Sequence, residues 1–227
     1  MLNATNDNDH PLAEAFRAFV RDPAFPCVGA KSALKREQMS IVVCSDIRSA
    51  WDDLRIYPSL LALAQGYKAA PKLFQTLVVI FADETPLSEA DYERHLWSRL
   101  QSLNDKDEWH GQKYDPRVSD DPEDGAFSLS FGGEAFFVVG LHPQASRPAR
   151  RFERAAMVFN LHDQFEQLRS AGLYERLRGT ILDRDVALAG SLNPMLARHG
   201  TGSAAPQYSG RAVGADWVCP FSNRARD

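Results

Sequence analysis

Residues 73–81 read LFQTLVVIF, a run without a single charge and dense in β-branched and aromatic side chains. A run of that length and character reads as a strand, and it is far too short to cross a bilayer as a helix. MSIVVC at 39–44 and MVFNL at 157–161 have the same character. Two further apolar, aromatic-rich runs, at 126–131 and 135–141, flank Gly132-Gly133, the pattern of a β-hairpin.

Helical periodicity fills the intervals between these runs. Leu12, Ala15, Phe16 and Phe19 share a face over 12–21, a short helix is expected over 29–37, and 46–67 is mostly helical with Pro58 interrupting it. The clearest helix opens at Pro86 and Ser88. Tyr92, Leu96, Leu100 and Leu103 form its apolar stripe, and Glu89, Glu93, Arg94 and Arg99 fall outside that stripe. Residues 105–124 are polar, carry two prolines and read as a loop. Helices over 162–170 and 173–189 are separated by Gly172.

The expectation is an α/β (α+β) fold: one layered domain over 1–227, with helices flanking a mixed sheet of roughly five strands. Residues 1–10 are expected to be flexible. Residues 190–227 form an irregular tail that contains Met195, Tyr208, Trp217, Cys219 and Phe221. That is too aromatic for a solvated linker, so the tail is expected to pack over the domain and wall a site.

The 227 residues are 44 % hydrophobic and 25 % charged, with 26 basic and 30 acidic side chains giving a net charge of −4. Such a chain has no global positive field for nucleic acid, and no apolar stretch for a membrane. The polar start, MLNATNDNDH, lacks the pattern of a secretory signal, so a cytoplasmic location is expected. Cys27, Cys44 and Cys219 cannot build a disulfide framework in a chain this long. Zinc-ligand pairs, a Walker loop, a Gly-x-Gly-x-x-Gly run and a nucleophile elbow are all missing from the sequence.

Few places then remain for reactive groups. Cys27 sits in a Pro-constrained loop just before an expected helix. A helix N-terminus with Lys31 nearby favours thiolate over thiol, and Gly29 permits close backbone approach to sulfur. The other reading of Cys27 is a small buried hydrophobe. His142 follows a strand and opens a segment in which Arg147, Arg150 and Arg151 make an anion site; it can equally be a solvated basic loop. His162 stands where a strand meets a helix and can simply occupy the first helical turn. Cys219, flanked by aromatics, is a third thiol to weigh, and Cys44 lies inside a strand. His10, His95, His110 and His199 have no partner suggested by spacing.

Six segments stand in order along the chain: FPCVGAK (25–31), FFVVGLHPQASRPARRF (136–152), VFNLHDQFEQLR (158–169), SLNPML (191–196), QYSGR (207–211) and WVCPF (217–221). Together they resemble the YqcI/YcgG family over about residues 14–221, in particular its branch of haem-dependent N-hydroxylases of guanidino compounds, the guanitoxin-biosynthesis type. The resemblance implies b-type haem, molecular oxygen as co-substrate, and hydroxylation of a guanidine nitrogen on arginine or an arginine-like amino acid. It places Cys27, Lys31, His142, Arg147, Arg150, His162, Asn193 and Arg211 at stake.

The resemblance does not fix the iron ligand; from its helix N-terminus, Lys31 and Gly29, Cys27 is expected to be the axial ligand, with His142 as runner-up and Cys219 third. Arg147 and Arg150 hold propionates, Lys31 and Arg211 assist, His142 and His162 serve catalysis, and Asn193, Glu134 and Tyr208 contact substrate. Acidic residues are expected just before QYSGR, where this chain has Gly202-Ser203-Ala204-Ala205-Pro206. Glu134, Glu153, Glu166 and Asp216 are then the remaining carboxylates for a guanidinium. Without a flavin or nicotinamide motif, electrons must come from a separate reductase or from peroxide. The reading leaves room for a homodimer. A non-catalytic haem sensor or carrier, and an enzyme using Cys27 as nucleophile with His142 as base, are the alternatives.

Overall fold

The computed structural model describes residues 4, 6–191, 193 and 202–222. Within them the mixed α/β architecture holds, with six α-helices flanking one five-stranded sheet. Helices α1 (Pro11–Arg21) and α2 (Val28–Lys35) precede strand β1 (Met39–Cys44). Helix α3 (Asp53–Ala69) runs through Pro58, and β2 (Thr76–Phe81) follows it. Then come α4 (Glu89–Trp109), β3 (Leu129–Phe131), β4 (Glu134–Leu141), β5 (Ala156–Leu161), α5 (Asp163–Ser170) and α6 (Tyr174–Ala189).

The strand order is β1-β2-β5-β4-β3. β1 and β2 are parallel, as a helical crossover between them requires, and the remaining pairs are antiparallel. β2 is buried at all six positions, which accounts for its lack of alternation. Both sheet faces are covered. α3, α4 and the tail residues Tyr208 and Phe221 pack on one face with Leu77, Val79, Phe136, Val138 and Phe159. α1, α2 and Phe152 pack on the other with Ile41, Val78, Ile80 and Ala156.

Three expectations change. α4 continues to Trp109 through residues 105–109, read as loop, because Asp107 is buried there. Asp107 accepts hydrogen bonds from Gly132 N (3.0 Å) and Tyr57 Oη (3.0 Å), so its carboxyl anchors the hairpin turn. That turn uses Gly132 and Gly133 at φ +60° and +74°, the left-handed pair a two-residue hairpin needs.

β3 spans only three residues, which leaves the edge of β4 beyond Phe136 without a strand neighbour. The tail fills that edge, with Gly140 N donating to Tyr208 O at 2.7 Å. Residues 7–10, expected to be flexible, are docked instead: Asp7 N donates to Ile41 O (2.8 Å) and Asp7 Oδ2 accepts from Val43 N (2.7 Å), covering the edge of β1. Most of the SLNPML segment, with Met195, and His199 lie outside the described residues.

Candidate functional site around Cys27, Arg150 and His142

Cys27 is the N-cap of α2, and its Sγ accepts from Ala30 N at 3.4 Å. The local sequence dictates this arrangement: Pro26 holds the entry extended and Cys27 supplies the capping acceptor. The sulfur is nevertheless withdrawn from water. Burial pushes the Cys27 thiol up, against smaller opposing pulls from the Ala30 and Gly29 amides, the Arg150 guanidinium and Lys31. The expected bias toward thiolate is therefore overturned, because desolvation outweighs the helix terminus. Lys31 spends its ammonium on the carbonyls of Asp22 (2.8 Å) and Pro23 (3.2 Å).

Arg150 stands within electrostatic reach of both Cys27 and His142. Its guanidinium donates to Gly140 O (3.0 Å), Tyr208 O (3.1 Å) and Gln207 O (2.9 Å). Burial lowers its pKa, and Tyr92, Asp185 and Cys27 oppose that. Arg147 is paired with Asp185, the one buried residue of α6, and also bonds Ser191. Both arginines are thus committed to protein groups, and to receive a propionate either would have to release them.

His142 lies just past β4 and is 1 % exposed. Its ring stacks on Tyr92 at 4.3 Å between centroids, and its Nδ1 has no hydrogen-bond partner among the described residues. Burial lowers its pKa to about 4, with Glu89 opposing and Arg150 reinforcing the shift, so the imidazole is neutral at pH 7. An unpartnered Nδ1 means that no Cys27–His142 hydrogen bond forms through it, which removes the usual geometry of an activated thiol nucleophile.

Other expected residues are elsewhere. Glu134 opens β4 and His142 follows its far end, eight residues away, or about 26 Å along a strand. His162 N bonds Ala135 O at 2.8 Å, so His162 belongs to the Glu134 end. There Glu134, Asp115 and Asp163 surround Arg117 at 2.8, 2.6 and 3.2 Å. Glu134 therefore has a guanidinium already, from its own chain. Arg211 sits on Glu93 (2.6 Å), together with Ser209 (2.7 Å) and Trp217 Nε1 (3.1 Å). Tyr208 is fully buried in the core and donates its hydroxyl to Phe136 O (3.2 Å). Asn193 is half-buried. Cys219 is partly buried against the core cluster that contains Tyr208, with its thiol pushed up to about 12 by burial.

Sequence reasoning passed over Tyr92, Asp185 and Gly140. The last carried a signal, since a glycine inside an apolar strand run marks close approach. A Cβ at Gly140 would meet Tyr92 Oη at 2.6 Å, Leu96 Cδ1 at 2.7 Å and Tyr208 O at 2.9 Å.

Toward a haem iron, Cys27 offers a sulfur at a helix N-terminus with the Ala30 N–H as donor and Arg150 within electrostatic reach, set against a burial that favours the neutral thiol. Among the described residues no helix is long and apolar enough to cross a membrane, and no group of three or more His, Cys, Asp and Glu side chains could hold a bare metal ion. No curated protein and no solved structure matches the chain. The family comparison does match, over residues 16–222, and the chain belongs to the YqcI/YcgG family.

Proposed function

We propose that the protein is a haem-dependent oxygenase that N-hydroxylates a guanidino group of arginine or an arginine-like amino acid, with Cys27 as the protein ligand to iron. The observation that carries the proposal is the capping geometry of Cys27 beside Arg150, taken with the resemblance to the guanidine N-hydroxylase branch. When bound, haem supplies oxygen activation: one oxygen atom enters the N–H bond, the other leaves as water, and two electrons and two protons come from an external donor.

The chain's own residues have separate tasks. Cys27 would hold the iron through its sulfur, as a thiolate, since a bound metal ion would offset the effect of burial on the thiol. The Ala30 amide and the Arg150 cation would stabilise the charge on that sulfur. His142 has no hydrogen-bond partner at Nδ1 among the described residues and stays neutral above pH 6, so its proposed role is that of a neutral imidazole that resists protonation. Asn193 is the proposed contact for the amino-acid end of the substrate. Electrons are proposed to arrive from a separate reductase.

The test compares ferrous–CO spectra of haem-loaded wild type, Cys27→Ala and His142→Ala. Wild type is expected to give the red-shifted Soret band of thiolate ligation, and Cys27→Ala to lose it. A spectrum unchanged in Cys27→Ala but lost in His142→Ala transfers the ligand to His142. A wild type that produces no Soret shift on haem titration overturns the proposal. Turnover of a guanidino substrate with oxygen and a reductant separates an oxygenase from a haem carrier.

A further inference from the structure

Helix α6 is held by charge rather than by a core. Its Leu177, Ile181, Leu182 and Leu188 are half-buried and Val186 is exposed. Among the described residues, none of these five joins either apolar cluster that covers the sheet. The one buried residue of the helix is Asp185, which shares a face with Leu177, Ile181 and Leu188 at helical spacing. The helix packs on α2, whose N-cap is Cys27, and on the 3-10 turn Pro148–Arg150.

Arg147 fastens the far end of that helix. Its guanidinium pairs with Asp185 and donates to Ser191 Oγ (3.1 Å) and Ser191 O (2.9 Å). The paired side chains are 12 % and 9 % exposed, so removing one partner strands a nearly buried charge. Asp185 lies about 16 Å along the helix from Tyr174. At the Tyr174 end α6 leaves α5 through a turn at Gly172, φ +67°, and the Arg169 guanidinium lies 4.4 Å over the Tyr174 ring. An element with few buried apolar contacts and one concentrated anchor opens at lower cost than the core beneath it.

We propose that α6 is a lid over α2 and the Pro148–Arg150 turn, hinged at Gly172 and latched by Arg147 on Asp185 and Ser191, and that its opening bares the Cys27 sulfur. Release of Arg147 is also what the haem reading requires of that residue. The lid is tested on the chain without haem, so either proposal can fail while the other stands.

Two readouts on the full chain test it: native-state hydrogen exchange, and alkylation of each cysteine by iodoacetamide followed by mass spectrometry. In wild type the α6 amides are expected to exchange in low urea while those of β2 stay protected, a measurement that needs no variant. Asp185→Asn is expected to raise both α6 exchange and Cys27 alkylation about tenfold or more, the worth of a charge-assisted bond. Arg147→Met should do the same, and the double variant no more, because the two residues form one latch. Cys44, buried in β1, and Cys219, on the opposite sheet face, should keep their wild-type rates. Asp183→Asn removes the same charge from an exposed position of the helix and should behave as wild type. α6 amides as protected as those of β2 overturn the proposal. So does an unchanged Cys27 rate in folded Asp185→Asn, a Cys44 rate that rises in step with it, or an equal effect of Asp183→Asn.

Discussion

Replacing His142 by Phe should change how stability depends on pH. The imidazole is 1 % exposed, stacks on Tyr92 and has no partner at Nδ1 among the described residues, so a cation there is penalised by burial and by the neighbouring Arg150. Its pKa is about 4 in the folded chain against 6.5 when unfolded. Above pH 6.5 neither state carries the proton, and the group contributes nothing to the pH dependence. As pH falls from 6.5 toward 4 the unfolded chain takes up a proton that the folded chain refuses, and stability is lost. The full loss is about 3 kcal/mol, from roughly 1.4 kcal/mol per pH unit.

Phenylalanine keeps a ring against Tyr92 and does not titrate. Urea unfolding of both proteins at several pH values from 7 to 4 measures the difference directly. Groups present in both proteins cancel, including Asp107, whose carboxyl is pushed up to about 6 by burial and so acts with the opposite sign. The variant should gain on wild type by about 3 kcal/mol across the window. A difference that stays flat with pH would show that His142 is solvated or paired, and would refute the reasoning.

Arg150→Met removes the donor shared by three carbonyls and should cost on the order of 3 kcal/mol or more, with faster proteolysis within 202–217. An unchanged proteolytic pattern would separate Arg150 from tail docking. Gly140→Ala drives a methyl into Tyr92, Leu96 and the Tyr208 carbonyl, and should destabilise by about 1–3 kcal/mol in denaturant unfolding. Cys27 in the haem-free folded chain should react with iodoacetamide far more slowly than in the denatured chain, because burial keeps it a thiol. Equal rates would show an accessible, ionised sulfur.

The strands were legible because their β-branched runs are short, uncharged and bounded by turn residues. Met39–Cys44 has the same limits in the sequence and in the structure. What a sequence window cannot carry is the partner of a polar group. Asp107 looks like a loop residue until the hairpin turn supplies Gly132 N and α3 supplies Tyr57. Glu93 and Arg99 fall outside the apolar stripe of α4 and read as solvent-facing, yet they are 6 % and 5 % exposed because the tail and Asp53 cover them.

At the candidate site, the capping position of Cys27 followed from its neighbours, whereas its protonation state depends on how deeply the fold buries it. The antiparallel pairing of β4 with β5 sent Glu134 and His162 to one end and His142 to the other. Periodicity says nothing about that choice.

The segments 136–152 and 207–211, far apart in sequence, form a single unit whose logic starts with the short β3. Because that strand begins only at Leu129, opposite Phe136, the edge of β4 is open from residue 137 onward, and the tail closes it. The closure leaves the carbonyls of Gly140, Gln207 and Tyr208 converging on one point, and a planar guanidinium is the side chain that can donate to all three at fixed angles. Gly210 completes the fit: at φ +84° a Cβ would lie 3.1 Å from Arg150 Nη1, so the tail must be bare where it crosses the arginine. The same cation pulls down the Cys27 thiol and holds down protonation of His142. Negative charge on the Cys27 sulfur is thus stabilised by the group that clamps the tail. By linkage, whatever places that charge strengthens the clamp, and whatever frees the tail weakens the charge.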